Sequence, residues 1–397
     1  MFDCLELPHL FSMASTMGLA VLENLMLDVE KNLTKIIGDG QRVKIYMLQA
    51  GCFALLCNES FPWSSDNLSH KLNEKIHDND PECPVTFRVH SGTFHFLPGQ
   101  YEAEEVIRRG VIALQDACSR KVTYTSYSYV DDARKKQSFY LINELEKALF
   151  FNTGLYMVYQ PKINLRTNVV TGFEALLRWR HPSLGEILPG EFLPLVENSA
   201  LMDDISQKVI NLVIQQVKEW KGGPCSLPIS LNLHISDVNA VDFPARIEKM
   251  INMSGINISD IGIELLESQN MDKMDNVYTN LSILKEKGFM ISLDDFGKGH
   301  SNINYLGSIP FNVIKLDRSI IQNIRNDTKA NIVATNVITM LKQLGYRTLA
   351  EGVEDGKTLS LLNKLGCDEV QGYFYSSPLN AEHMLTWMHA FNHEKKF

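Results

Sequence analysis

From residue 155 onward, short β-rich apolar runs alternate with longer stretches whose apolar residues recur at helical spacing, the pattern of a repeated strand–helix unit with a parallel sheet. The pattern predicts strands over 155–163, 169–179, 227–234, 261–267, 289–295, 313–317, 347–351 and 369–373, and helices over 205–220, 274–287, 329–344 and 381–391. Eight strands in that rhythm predict an α/β fold, a TIM-like (β/α)8 barrel. Only residues 165–168 separate the first two strands, too few for a crossover helix, so the first strand should run antiparallel to the second. Upstream, helical periods over 18–37 and 103–118 and apolar runs over 44–57 and 86–97 predict a smaller α/β domain. The polar stretch 126–138, containing Asp131, Asp132, Arg134, Lys135 and Lys136, reads as a linker into a helix ending at Ala148. The expected division is therefore 1–130 and 131–397, with 131–150 as linker and leading helix.

A length of 397 residues agrees with two domains, and 45% hydrophobic with 21% charged residues supplies an ordinary globular core. The net charge of −9 excludes a protein that wraps long nucleic acid, which needs a basic face to displace counterions. Seven scattered cysteines, none spaced as CxxC, indicate neither a disulfide framework nor a zinc knuckle and fit a reducing cytoplasm. No apolar run approaches the ~20 residues that span a bilayer, so no membrane segment is expected.

The candidate chemistry lies at the strand ends. Glu174, Asn232, Glu264, Asp294 with Asp295, Asp317 and Glu351 fall at the C-terminal ends of predicted strands, where a barrel builds its active site from several strands at once. Carboxylates converging there resist ionisation unless cations offset them, and hard oxygen ligands select Mg²⁺ or Mn²⁺. Adjacent Asp294 and Asp295 could each serve one of two ions, the arrangement that stabilises entering and leaving oxygens in phosphodiester hydrolysis. Lys315, two residues before Asp317 on the same strand face, could orient water or neutralise phosphoryl charge. A lone strand-end aspartate is more often a helix cap, and a lone lysine is usually solvated. The histidines at 181, 234 and 300 form no metal-ligand spacing and read as surface or core residues.

Over roughly 141–388 the chain resembles the EAL-family cyclic di-GMP phosphodiesterases. The residues that carry the resemblance are Glu174-Ala175-Leu176-Leu177-Arg178-Trp179, preceded by Tyr159-Gln160-Pro161-Lys162, then Ser230-Leu231-Asn232-Leu233, Glu264-Leu265-Leu266-Glu267, Asp294-Asp295-Phe296-Gly297, Lys315-Leu316-Asp317, Ala350-Glu351-Gly352-Val353-Glu354 and Gln371-Gly372-Tyr373-Phe374. The resemblance implies metal-dependent hydrolysis of cyclic di-GMP to linear pGpG at a two-ion site ligated by Glu174, Asn232, Glu264, Asp294, Asp295 and Glu351. It implies catalytic roles for Lys315 on the nucleophilic water, for Glu351, and for Asp317 and Glu354 in support. Gln160, Arg178 and Gln371 would hold the dinucleotide, and Glu267 would brace the loop after the paired aspartates. That loop begins Asp295-Phe296-Gly297-Lys298-Gly299-His300-Ser301, with Lys298 where the family usually has threonine. A homodimer is also implied.

The N-terminal region resembles a shortened, degenerate GGDEF (diguanylate cyclase) domain. Where the family has its Gly-Gly-Asp-Glu-Phe turn, this chain reads Leu48-Gln49-Ala50-Gly51-Cys52-Phe53. The upstream metal-binding strand survives as Leu5-Glu6-Leu7-Pro8-His9, with Pro8 at an aspartate position, and Gly40 and Val43 cannot supply an Arg-x-x-Asp inhibition site. The resemblance implies a regulatory or dimerising module without cyclase activity. The rival to an enzyme is a non-catalytic cyclic di-GMP receptor or protein-interaction module using the same cavity. Receptors of this kind typically lose metal carboxylates or the lysine, and this chain keeps them.

Overall fold

The computed structural model describes residues 2–6, 19–37, 43–49, 51–57, 67–68, 70–72, 74, 89–267, 276–298, 306 and 309–394. The positions 7–9, 40, 50, 86–88, 274–275 and 299–301, on which some sequence expectations fell, lie outside the described residues. The chain divides into two compact units, Met1–Phe139 and Tyr140–Phe397.

In the first unit, β1 (Phe2–Glu6), β2 (Val43–Gln49), β3 (Cys52–Cys57), β4 (His90–Phe94) and β5 (Tyr124–Ser126) form one sheet in the order β2-β3-β1-β4-β5. β1 lies antiparallel between β3 and β4, and β5 is parallel to β4 after a crossover through the helix Ala103–Ser119. Strand alternation covers both sheet faces: Phe53 and Leu55 pack with Val29 and Leu33 of the helix Leu19–Ile37, while Cys52 and Ala54 pack with Val106 and Leu114.

The predicted linker over 126–138 is a correction. A single helix, Tyr129–Phe150, begins inside it. Ser128 Oγ accepts from the Asp131 N–H at 3.2 Å, and Asp131 and Asp132 stand in the first turn, where carboxylates favour the positive end of the helix dipole. The stretch is polar because ion pairs hold it. Arg108 forks onto both oxygens of the buried Asp132 at 2.9 Å each, and Tyr127 donates to Asp132 at 2.7 Å.

The second unit is a closed eight-stranded barrel. β6 (Leu155–Asn164), β7 (Val169–His181), β9 (Ile229–Leu233), β10 (Ile261–Leu266), β11 (Met290–Phe296), β12 (Val313–Leu316), β13 (Arg347–Ala350) and β14 (Glu369–Val370) complete the ring, and β8 (Gly185–Ile187) pairs with the overhanging end of β7. β6 is antiparallel to both β7 and β14, and the other ring strands run parallel, as the short 165–168 connection requires. The helices Phe243–Ser254 and Gly356–Leu365 add to those expected. Ile263, Leu265, Leu293, Ile314 and Leu316 belong to one apolar core with the helix residues Val213, Ile338 and Leu341. The intervening Glu264, Ser292, Asp294 and Lys315 are buried too. Among the described residues no helix is long and apolar enough to cross a membrane.

Candidate active site

A buried charge is expensive unless it is paired, so the polar interior of the barrel must satisfy itself. Lys315, on β12, does most of this. Its Nζ lies 2.6 Å from Glu264, 2.8 Å from Glu351, 3.0 Å from Asp294 and 3.1 Å from Glu174. Those carboxylates come from β10, the residue after β13, β11 and β7, and so converge from distant parts of the chain. A second ammonium, Lys162 of β6, also pairs with Glu264 and donates to Ser230 Oγ at 2.8 Å.

Glu174 is not at a strand end as expected. It lies mid-strand, with its neighbour Ala175 paired to Leu231, because β7 overshoots the ring to meet β8. Asn232 Nδ2 donates to one Glu174 oxygen at 2.8 Å, and Gln371 Nε2 donates to the other at 2.7 Å. Gln371 also reaches Gln160 Oε1 at 2.8 Å, and Gln160 in turn donates to the Ser376 carbonyl.

Asp294 and Asp295 would point to opposite faces of a regular strand. They do not, because the β11–β12 register shifts between Leu293 and Phe296, and Asp295 adopts a left-handed φ of 57°. Oxygens of Asp294, Asp295 and Glu351 consequently lie within 4.8 Å of one another, as do oxygens of Glu174, Glu264 and Asp294. Two acidic clusters therefore share Asp294. The Glu267 carboxylate accepts from the Gly297 N–H at 2.9 Å, and the Glu267 N–H donates to the Asp294 carbonyl, so Glu267 braces this turn.

Burial sets the electrostatics, modulated by the ammonium groups. It pushes Glu264 up, but Lys162 and Lys315 outweigh it and hold that carboxyl at about 2. Burial together with the neighbouring carboxylates outweighs Lys315 at Asp294, raised to about 6, and at Glu351, raised to about 8. Burial disfavours the charged Lys315, but its carboxylate neighbours overcome this and raise its pKa well above the ordinary lysine value. The two lysines leave the site short of positive charge near neutrality, so its all-oxygen donor set suits hard divalent cations.

The site opens into a cavity of about 340 Å³ lined by Gln160, Glu174, Asp294, Glu351, Glu354 and Gln371, together with Leu176, Arg318, Gly352, Gly372 and Tyr373. Glu354 sits at this rim paired with Arg318 at 2.9 Å. Gly352, at a left-handed φ of 66°, makes room for that arginine, since a Cβ there would stand 2.9 Å from Arg318 Cγ. Asp317 caps the short helix Arg318–Ile321 through the Ser319 N–H, as a lone strand-end aspartate often does. Arg178 lies outside the cavity lining, further along β7 on the face of Glu174, with Nη1 on the Leu177 carbonyl. His181 and His234 join neither cluster. Sequence reasoning assigned no role to Lys162, Arg318 or Tyr373. Lys162 could have been found two positions from Gln160 on the same strand face, and the other two as neighbours of Asp317 and Gln371.

Residues 142–378 match the EAL-domain family. The chain is 32% identical over 390 residues to cyclic di-GMP phosphodiesterase PA2567 of Pseudomonas aeruginosa, covering 97% of this chain and 66% of that protein. It is 31% identical over 342 residues to the bifunctional diguanylate cyclase/cyclic di-GMP phosphodiesterase MucR of the same species, covering 84% of this chain and 49% of that one. The solved PaMucR phosphodiesterase, a c-di-GMP complex, superposes with a TM-score of 0.57 at 31% identity over 62% of this chain and 99% of that chain. This chain spans less than two thirds of the length of both curated relatives.

Proposed function

The chain belongs to the EAL-domain family, and from that premise we propose that its barrel hydrolyses cyclic di-GMP to linear pGpG using two divalent ions, Mg²⁺ or Mn²⁺. The observation that carries this reading is the pair of carboxylate clusters joined at Asp294, with the buried Lys315 ammonium among them. Glu174, Asn232, Glu264, Asp294, Asp295 and Glu351 would hold the ions. When bound, they would lower the pKa of water and offset charge on the entering and leaving oxygens.

The remaining work falls to side chains. Lys315 stays charged and, presented to the same oxygens, orients the attacking water and offsets charge that grows on the phosphoryl group. One water adds across one phosphodiester: a P–O bond to the water oxygen forms, the bond to the 3′ oxygen breaks, and that oxygen leaves with a proton. Burial raises the Glu351 carboxyl to about 8, so it holds a proton near neutrality and would have to give that proton up to ligate an ion or to move protons in the reaction. Gln160 and Gln371 line the cavity, and Gln371 Oε1 is buried with no partner among the described residues, so an N–H of a guanine would satisfy it. On the family expectation, Arg178 would help hold the dinucleotide, and Asp317 and Glu354 would support Lys315.

The first unit is assigned as the degenerate GGDEF-like module. The β2–β3 hairpin, pairing Gln49 with Cys52 beside Gly51 at φ 77°, stands where the cyclase family carries its signature turn, and no acid occupies it. A regulatory or dimerising role in a cytoplasmic homodimer follows from the same family expectation.

The test is chromatographic detection of pGpG after incubating the full chain with cyclic di-GMP and Mg²⁺ or Mn²⁺, beside a metal-free control and a direct binding assay. Metal-dependent pGpG establishes the enzyme. Tight binding without product establishes the receptor instead.

A further inference from the structure

Besides the shared Lys315, each acidic cluster has a lysine of its own, and in the Asp294–Asp295–Glu351 cluster it is Lys298. Lys298 Nζ lies 2.7 Å from Asp295 Oδ2. The turn brings the two residues together: the Lys298 N–H donates to the Asp295 carbonyl at 3.2 Å, and Glu267 accepts from the intervening Gly297 N–H. The Glu174–Glu264–Asp294 cluster has its own ammonium in Lys162, which pairs with Glu264 and is buried where Lys298 is exposed. Lys315 touches members of both clusters and so does not distinguish them.

We propose that Lys298 is a tethered cation that competes with a divalent ion for Asp295, so that the Asp294–Asp295–Glu351 cluster fills at a higher ion concentration than it would with a neutral side chain at position 298. The proposal rests on the two-ion reading above and adds that one of the two sites is weakened by a side chain of its own turn. A threonine at position 298, neutral and too short to span to Oδ2, would abolish the competition. The Lys298 side chain is 66% exposed, so its hold on Asp295 is that of a surface ion pair, weakened by water and salt.

The experiment is a Mn²⁺ titration of the full chain, with free Mn²⁺ followed by electron paramagnetic resonance, for the native protein, Lys298→Thr, Lys298→Arg and Asp295→Asn. Two binding events are expected in the native protein. Lys298→Thr should tighten one of them roughly two- to fivefold, the range of an exposed ion pair, and leave the other in place. Lys298→Arg should reproduce the native isotherm, and Asp295→Asn should remove or strongly weaken the same event that Lys298→Thr tightens. Two native events that Lys298→Thr leaves unchanged, or shifts together, would overturn the competition while the two-ion reading stood. An absence of Mn²⁺ binding in the native protein would overturn both.

Discussion

Loading the acidic site with divalent ions must expel protons, and the number follows from the burial of two carboxyls. Asp294 is raised to about 6 and Glu351 to about 8, first by burial and then by their carboxylate neighbours. At pH 7 the first is about one-tenth protonated and the second about nine-tenths, so filling both clusters releases about one proton per chain. The count should rise to about one and a half at pH 6 and fall to about a tenth at pH 9. Apparent Mn²⁺ affinity should rise about tenfold per pH unit between 6 and 8 and flatten above. Stability of the ion-free protein runs the other way: the folded pKa of Glu351 exceeds its unfolded value, so between about pH 4.5 and 8 the unfolded chain binds fewer protons and stability falls as pH rises. Glu264, held at about 2, contributes stability that is present above about pH 4.5 and lost as pH falls towards 2. Calorimetry of Mn²⁺ binding in buffers of different ionisation enthalpy reads the proton count directly. Glu351→Gln should lower it at pH 7 to about a tenth. A native count near zero at pH 7, or one that Glu351→Gln leaves intact, would refute the electrostatic account of the site.

Three further changes test other parts of the argument. Glu174→Ala and Lys315→Ala should each abolish pGpG formation while circular dichroism shows the barrel retained; turnover in either variant would remove that residue from the mechanism. Gly352→Ala forces a side chain into a left-handed backbone 2.9 Å from Arg318 Cγ, so it should displace Arg318 and Glu354 from the rim and raise KM more than it lowers kcat, read in steady-state kinetics. Arg108→Ala leaves the buried Asp132 without its bidentate partner and should cost about 2 kcal/mol, a value tempered by the partial exposure of Arg108. The Arg108 guanidinium holds the Asp132 carboxyl well below the usual range, so this loss should be full above about pH 4 in denaturant titrations and shrink as pH falls.

The sequence by itself determined the period of the barrel, the reversed first strand and the acidic identity of its mouth. Each is a local property. A four-residue connection cannot cross over, strand-length apolar runs spaced by helical ones impose the ring, and charged residues among the apolar positions of β10, β11 and β12 have no exposed face to occupy. The polar stretch 126–138 misled because polarity is the mark of a linker only when nothing pairs with it. Asp132 is satisfied by Arg108, twenty-four positions away, and such a partner is invisible to a local window. What only the tertiary structure decided is of the same kind. The left-handed Asp295 that turns two adjacent carboxylates into one cluster, the overshoot of β7 that brings mid-strand Glu174 to the mouth, and the placement of Lys162 beside Glu264 all depend on register between strands distant in the chain. Charge balance is settled by distances in a low-dielectric interior, where a few ångströms separate a carboxyl held at about 2 from one raised to about 8.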